Sequence, residues 1–280
     1  MRIAVTGGRG LLGRAVCELA VREGHSVISV DLVSAEADEP TDGLQQVNAD
    51  VTDFERLRAA VAGAEALVHL AAYISPRNHP DHVVHNTNVV ARYNALSVAV
   101  TSSIRAVALA SSINAIGGQY SRRPRCDYFP VDEEHPTHAE DPYSLSKWLG
   151  ERQADAFARR HENMTISSLR FHALRSWAEA HAAAQRRPDS SARDLWGHIP
   201  IDDAARSCLA AVQADFRGHE VFYVVGDRST SDRPSLDLRA EYYPDVPVVG
   251  DLSGHRGFFD VTKARRLLGL RLRSDVPAPR

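Results

Sequence analysis

The first 24 residues constrain the fold more than any other stretch. Residues 2–6 form a short apolar run, and the turn TGGRGLLG follows at once. Residues 11–23 then place Leu12, Val16, Leu19 and Ala20 at helical spacing until Gly24 ends the pattern. A buried strand that passes through glycines into an amphipathic helix is the first unit of a parallel sheet covered by helices. The alternation continues. Residues 26–31, 45–48, 66–71, 106–111 and 166–170 read as further strands, and 53–61, 85–101 and 142–160 as helices between them. Parallel neighbours need long crossovers, usually helical, which these segments supply. The pattern predicts an α/β fold built on a doubly wound parallel sheet.

After Phe171 the alternation weakens. A stretch rich in Ala, Arg and His runs to Arg193, followed by a helical pattern over 202–214, a strand-like 221–225 and a last helix over 263–268. The expectation is a main domain over residues 1–170 and a smaller substrate lobe over 171–280. Residues 271–280, with two prolines and no periodicity, read as a loose tail.

Composition matters here for what it excludes. With 33 basic and 36 acidic residues the net charge is −3, which offers no basic face to nucleic acid. No apolar run is long enough to span a membrane, and the first residues carry no signal-peptide pattern, so a cytoplasmic protein is expected. Cys17, Cys126 and Cys208 are odd in number and far apart, which points to neither a disulfide framework nor a zinc site. His79, His82 and His85 recur every three residues, but Pro80 interrupts them, and no metal is expected.

Three groups of residues carry chemistry. Gly7, Gly10 and Gly13 lie between the first strand and its helix, where a dinucleotide pyrophosphate meets the free N–H groups of the first turn, at Leu11 and Leu12. Asp31 ends the second strand, where a carboxylate accepts from the adenosine ribose and repels a 2′-phosphate. Asp50 follows the third strand, positioned to accept from the adenine amino group while Val51 covers the ring. Arg9, inside the turn, is within reach of a 2′-phosphate, so NAD is expected and NADP stays open. Tyr143 and Lys147 stand one helical turn apart on one face. A phenol titrates near 10, and an adjacent ammonium brings it toward working range. Ser112, just past the strand over 106–111, is placed to share the same substrate oxygen.

On these residues the chain resembles the extended short-chain dehydrogenase/reductases, in the NAD-dependent epimerase/dehydratase branch. The resemblance rests on TGGRGLLG, DVTD at 50–53, HLAA at 69–72, Asn88, ASSINAIG from Ala110 and YSLSK from Tyr143. It implies a Rossmann dinucleotide-binding domain and a catalytic set of Ser112, Tyr143 and Lys147. It also implies a nicotinamide cofactor that touches Leu70, Ala71, Ala72, Tyr143 and Lys147, a structural hydrogen-bonding role for Asn88, and a homodimer through the helices near 89–101 and 143–160. Two departures bear on substrate. Ser112, Ile113 and Asn114 stand where sugar dehydratases of the family carry Thr-Asp-Glu, which argues against dehydration. RFHALRSWAEAHAAA stands where nucleotide-sugar epimerases show V-Y-G-P-G.

The shorter lobe and Ser75 resemble the compact uronate-dehydrogenase-like members. Candidate substrate contacts are Ser75, Ser112, Ile113, Asn114, His172 and Arg175. The interval from Ser112 to Tyr143 is long, so residues 117–134, with Arg122, Arg123 and Arg125, read as a rim over the site or a solvated loop. The expected function is an NAD(P)-dependent oxidoreductase acting on a sugar or polyhydroxylated small molecule. The alternatives are a nucleotide-sugar epimerase with tightly held NAD and a non-catalytic NAD(P)-sensing regulator.

Overall fold

The computed structural model describes residues 1–33 and 42–271, so the expected tail lies outside the described residues from 272 onward. Seven strands form one sheet: β1 Arg2–Thr6, β2 Ser26–Asp31, β3 Leu44–Asn48, β4 Ala66–His69, β5 Ala106–Ser112, β6 Thr165–Phe171 and β7 Gly218–Val224. All neighbours are parallel, in the order β3-β2-β1-β4-β5-β6-β7. The order reverses between β1 and β4. That switch point opens a crevice beyond the carboxyl ends of the strands, the place where open α/β sheets bind ligands.

Nine α-helices are described: α1 Leu11–Arg22, α2 Phe54–Ala60, α3 Asp81–Thr101, α4 Pro142–Arg160, α5 Trp177–Arg186, α6 Pro188–Arg193, α7 Ile201–Val212, α8 Ser235–Tyr242 and α9 Thr262–Leu268. Because strand side chains alternate, the sheet feeds two apolar layers. Ile3, Val5, Ala66 and Val68 face a core shared with α1 and α7. Ala4, Ile28, Val30 and Leu67 face another, shared with α2, α3 and α4.

The expected boundary after Arg170 is crossed by the sheet. Every residue of β6 is buried, so its outer edge and both faces need cover. β7 pairs along its whole length and α7 packs against α1 on one face. Residues 201–224 therefore belong to the main layers, and the lobe is reduced to the segments on either side of them.

The expected rim over 117–134 is not a solvated loop. Phe129 and Val131 are fully buried and bridge to Val248 and Phe259. Arg193 staples the preceding stretch by donating to the carbonyls of Gln119, Ser121 and Arg122. Arg122, Arg123 and Arg125 themselves are exposed.

Candidate active site

The glycine turn is shaped by its own neighbours. Gly7 adopts φ +70°, and a Cβ there would stand 2.8 Å from the backbone nitrogen of Ala71. A Cβ on Gly13 would come within 2.0 Å of the Gly7 carbonyl oxygen. Gly10 differs, since its Cβ would meet only that oxygen, at 3.2 Å, and the residue is exposed. Gly10 is also the N-cap of α1, so no side chain caps the first turn, and that turn holds no acidic residue. An exposed helix N-terminus without a cap, fronted by a residue with no side chain, fits a pyrophosphate. Leu11 is exposed and Leu12 packs on the core.

The two acids frame the same edge. Asp31 accepts from the backbone of Arg9 at 3.0 Å and of Val33 at 3.2 Å, tying the end of β2 to the glycine turn. Arg9 donates to Gln46 on β3 at 2.8 Å, beside the same position. Asp50 takes the amide and hydroxyl of Thr52 on one oxygen, at 2.8 and 2.7 Å, and Val51 packs against the second core. Leu70 and Ala71 hang from Thr6 through its carbonyl and hydroxyl, so the segment through Ala72 runs alongside the glycine turn.

Tyr143 is set by the start of α4. Asp141 caps that helix by accepting from the amides of Tyr143 and Ser144, both at 3.0 Å, with Pro142 in the first turn. The phenol is 7% exposed. Burial pushes its pKa up to about 12, against the pull of a hydrogen bond with Ser112 and the charge of Arg92. Ser112 is held by its own turn, its hydroxyl accepting from the Asn114 amide at 3.1 Å. Tyr120 stands edge-on to Tyr143 at 5.7 Å, and Arg77 lies over the Tyr120 ring. Lys147, one turn further along α4, is buried and donates to the Ala110 carbonyl at 3.0 Å.

Asn88 ties the segment after β4 to α4. It accepts from the amide of Tyr73, donates to its carbonyl, and reaches Ser146 at 3.0 Å. His69 joins this site to the glycine turn, because its ring meets the Thr6 hydroxyl at 2.8 Å. Burial, and then the charge of Arg92, pushes its pKa well below the usual range. Arg92 belongs to no motif. Its signal in the sequence is register: four residues after Asn88 and three before Ala95, it falls on the buried stripe of α3.

The candidate substrate residues divide. Ser112, Ile113 and Asn114 are buried at the end of β5, with the Asn114 side-chain oxygen accepting from Gln119. Ser75 accepts from the Arg77 amide in a tight turn. His172 is not free for a substrate: one ring nitrogen accepts from Ala173 at 2.7 Å and the other donates to the Asp194 carbonyl at 2.8 Å. Burial pushes its pKa down to about 3, and a Cβ on Gly197 would collide with its ring. It is a neutral strut between β6 and the lobe. Arg175 is exposed, and its charge opposes the burial that pushes Asp194 up to about 7. Among the described residues no three metal-ligating side chains converge, and no helix is long and apolar enough to cross a membrane.

Known proteins resemble this chain in sequence and in fold. A putative UDP-glucose 4-epimerase of Methanocaldococcus jannaschii is 30% identical over 161 residues, 56% of this chain and 51% of that protein. An L-arabinose 1-dehydrogenase (NAD(P)(+)) of Haloferax volcanii is 31% identical over 176 residues, 60% of this chain and 65% of that one. The chain thus spans about half to two thirds of the length of these relatives. The crystal structure of a Thermotoga maritima UDP-glucose 4-epimerase with UDP-glucose superposes with a TM-score of 0.71 at 20% identity, covering 98% of this chain and 94% of that one. The profile of the NAD dependent epimerase/dehydratase family matches residues 3–175, well over half the chain. The chain belongs to the NAD-dependent epimerase/dehydratase family.

Proposed function

We propose that the chain is an NAD-dependent oxidoreductase that interconverts an alcohol and a carbonyl on a sugar or similar polyhydroxylated molecule, with Tyr143 handling the hydroxyl proton. One observation carries the reading: a buried phenol, drawn toward ionisation by Ser112 and Arg92, stands at the carboxyl edge of the same sheet that presents the glycine turn. The cofactor, when bound, supplies the hydride acceptor or donor. Gly7, Gly10, Leu11 and Leu12 would hold its pyrophosphate, Asp31 its adenosine ribose, Asp50 and Val51 its adenine. Leu70, Ala71 and Ala72 would line its path toward Tyr143 and Lys147.

The protein's own groups do the rest. With a pKa pushed up to about 12, Tyr143 rests as a phenol, suited to protonating a carbonyl oxygen under reduction. Ser112 orients that oxygen, and Tyr120 with Arg77 screens the phenol from water. The named activity of the Haloferax relative, oxidation of a free sugar, agrees with this reading.

Epimerisation of a nucleotide sugar is the second reading. The name of the Methanocaldococcus relative favours it, and the Thermotoga structure bound UDP-glucose in a fold matched over 94% of its length. Lobe size alone therefore does not separate the two. Incubation with NAD and a panel of free sugars, sugar acids and nucleotide sugars, read at 340 nm and by product analysis, does. The expected result is NADH accumulating with a free sugar, abolished by Tyr143→Phe while NAD binding persists. A nucleotide-sugar epimer formed without net NADH would replace oxidation by epimerisation. Retained NAD binding with no turnover of any substrate would reduce the chain to a cofactor sensor, and full activity in Y143F would overturn the mechanism.

A further inference from the structure

Helix α3 turns a guanidinium inward. Arg92 is 4% exposed, and its stem crosses α4 at Gly150, where a Cβ would stand 2.4 Å from the Arg92 Cδ. Its Nη2 donates to the Ala110 carbonyl, the same oxygen that takes the hydrogen bond from Lys147 Nζ. Two cations thus converge on one neutral acceptor, out of water. Arg92 Nη1 is buried too and meets no hydrogen-bond partner.

The groups around them do not balance both charges. Glu151, one turn beyond Lys147 on α4, is the neighbouring carboxylate, but Arg170 on β6 occupies both of its oxygens and Ser111 on β5 adds a third bond. Arg170 in turn donates to Tyr223 on β7. Asp155, further along α4, pairs with His219 of β7. On β4, His69 is held neutral. At the start of α4 stand Tyr143, which Tyr120 covers, and Asp141, whose Oδ1 takes both capping amides while its Oδ2 is buried without a hydrogen-bond partner. Two buried like charges sharing one carbonyl repel, and the group that binds its proton less tightly gives it up. Between an ammonium and a guanidinium, that is the ammonium.

We propose that Arg92 is a positioning residue that carries the permanent positive charge beside Tyr143, leaving Lys147 as a neutral amine at neutral pH, able to accept a hydrogen bond as well as donate one. The shifts run the same way. Burial pushes Arg92 down only to about 10, so it stays charged, whereas burial and then Arg92 drive Lys147 well below its usual range. The charge of Arg92 draws Tyr143 toward ionisation. The proposal rests on Tyr143 as the acid–base group only for its consequence; the charge assignment is testable without any substrate.

The chain has just two lysines, Lys147 and Lys263. Protein labelled with 13C-lysine therefore shows two side-chain signals, and Lys263→Arg identifies the one from Lys147. Its 13Cε shift, followed from pH 4 to 11 with and without NAD, should titrate far below the Lys263 signal. Arg92→Met should move the Lys147 midpoint upward by about 1–3 pH units. A wild-type Lys147 protonated at pH 7 overturns the proposal by itself, even if R92M fails to fold. So does a midpoint that R92M leaves unmoved. Neither outcome depends on whether Tyr143→Phe abolishes turnover, so the proposal and the functional reading fail separately.

Discussion

Replacing Glu151 by glutamine tests whether the charges beneath Tyr143 are held as a closed set. Glu151 is fully buried, and Arg170 grips it with both arms at 2.9 and 2.8 Å while Ser111 donates at 2.6 Å. The far side of Arg170 meets the Tyr223 hydroxyl at 3.1 Å and lies over that ring. Glutamine keeps the shape and one acceptor oxygen but leaves the guanidinium uncompensated. Removing one partner of a buried pair costs about 3–5 kcal/mol. At about 2–4 °C per kcal/mol for a domain of this class, the melting temperature should fall by about 6–20 °C.

The double variant Glu151→Leu, Arg170→Met removes charge and countercharge together and should regain most of the loss. The pH dependence adds a second check. Burial pushes Glu151 up, but the charge and hydrogen bonds of Arg170 outweigh it and hold the carboxyl below its usual range. A depressed carboxyl contributes stability that is present above its unfolded pKa and lost as pH falls through the folded one. The gap between wild type and E151Q should therefore be full at pH 7 and shrink in strong acid. Urea unfolding followed by circular dichroism measures it. A cost under about 1 kcal/mol at pH 7, or a gap that does not close toward low pH, would refute the argument.

Two further outcomes follow from surfaces rather than from the core. Asp31→Ser removes the carboxylate that would repel a 2′-phosphate beside Arg9, and should raise the NADP-to-NAD preference by about tenfold or more, measured as the ratio of dissociation constants; an unchanged ratio would detach Asp31 from cofactor choice. We propose that two copies pair through α3 and α4, because Val90 and Tyr93 are exposed on α3 and the Tyr93 ring leans edge-on against Phe157 of α4. Light scattering on a sizing column should give a dimer for the wild type and a monomer for Val90→Glu, Tyr93→Glu, and a monomeric wild type would end the proposal.

The elements legible in the sequence are those whose cause is local. β1, β2 and α4 begin and end where the apolar pattern and the Asp141–Pro142 cap place them. Pro80 stops nothing that follows it: α3 starts right after it, at Asp81, because a proline is tolerated at the entrance of a helix. β7 was visible as a strand, but its partner was not, since pairing with β6 is decided by an uncovered edge far away in the chain. His172 shows the same limit within the site. Its place after β6 points toward the cleft, whereas the bonds that spend both its nitrogens come from its own backbone neighbour and from residue 194, which only the folded lobe brings near.

Arg92 acts on the site from outside its motifs. A motif captures residues that one strand or one helix positions for a shared task, and Ser112, Tyr143 and Lys147 are of that kind. The proton affinity of such a set depends on every charge that packs against it, from whichever element. Here a small residue on α4, Gly150, opens the gap through which α3 delivers a guanidinium to the carbonyl that Lys147 uses. Two chains with identical YSLSK segments would therefore titrate differently if one lacked the arginine on α3, so the chemistry of the pair is written across a helix interface rather than within the motif.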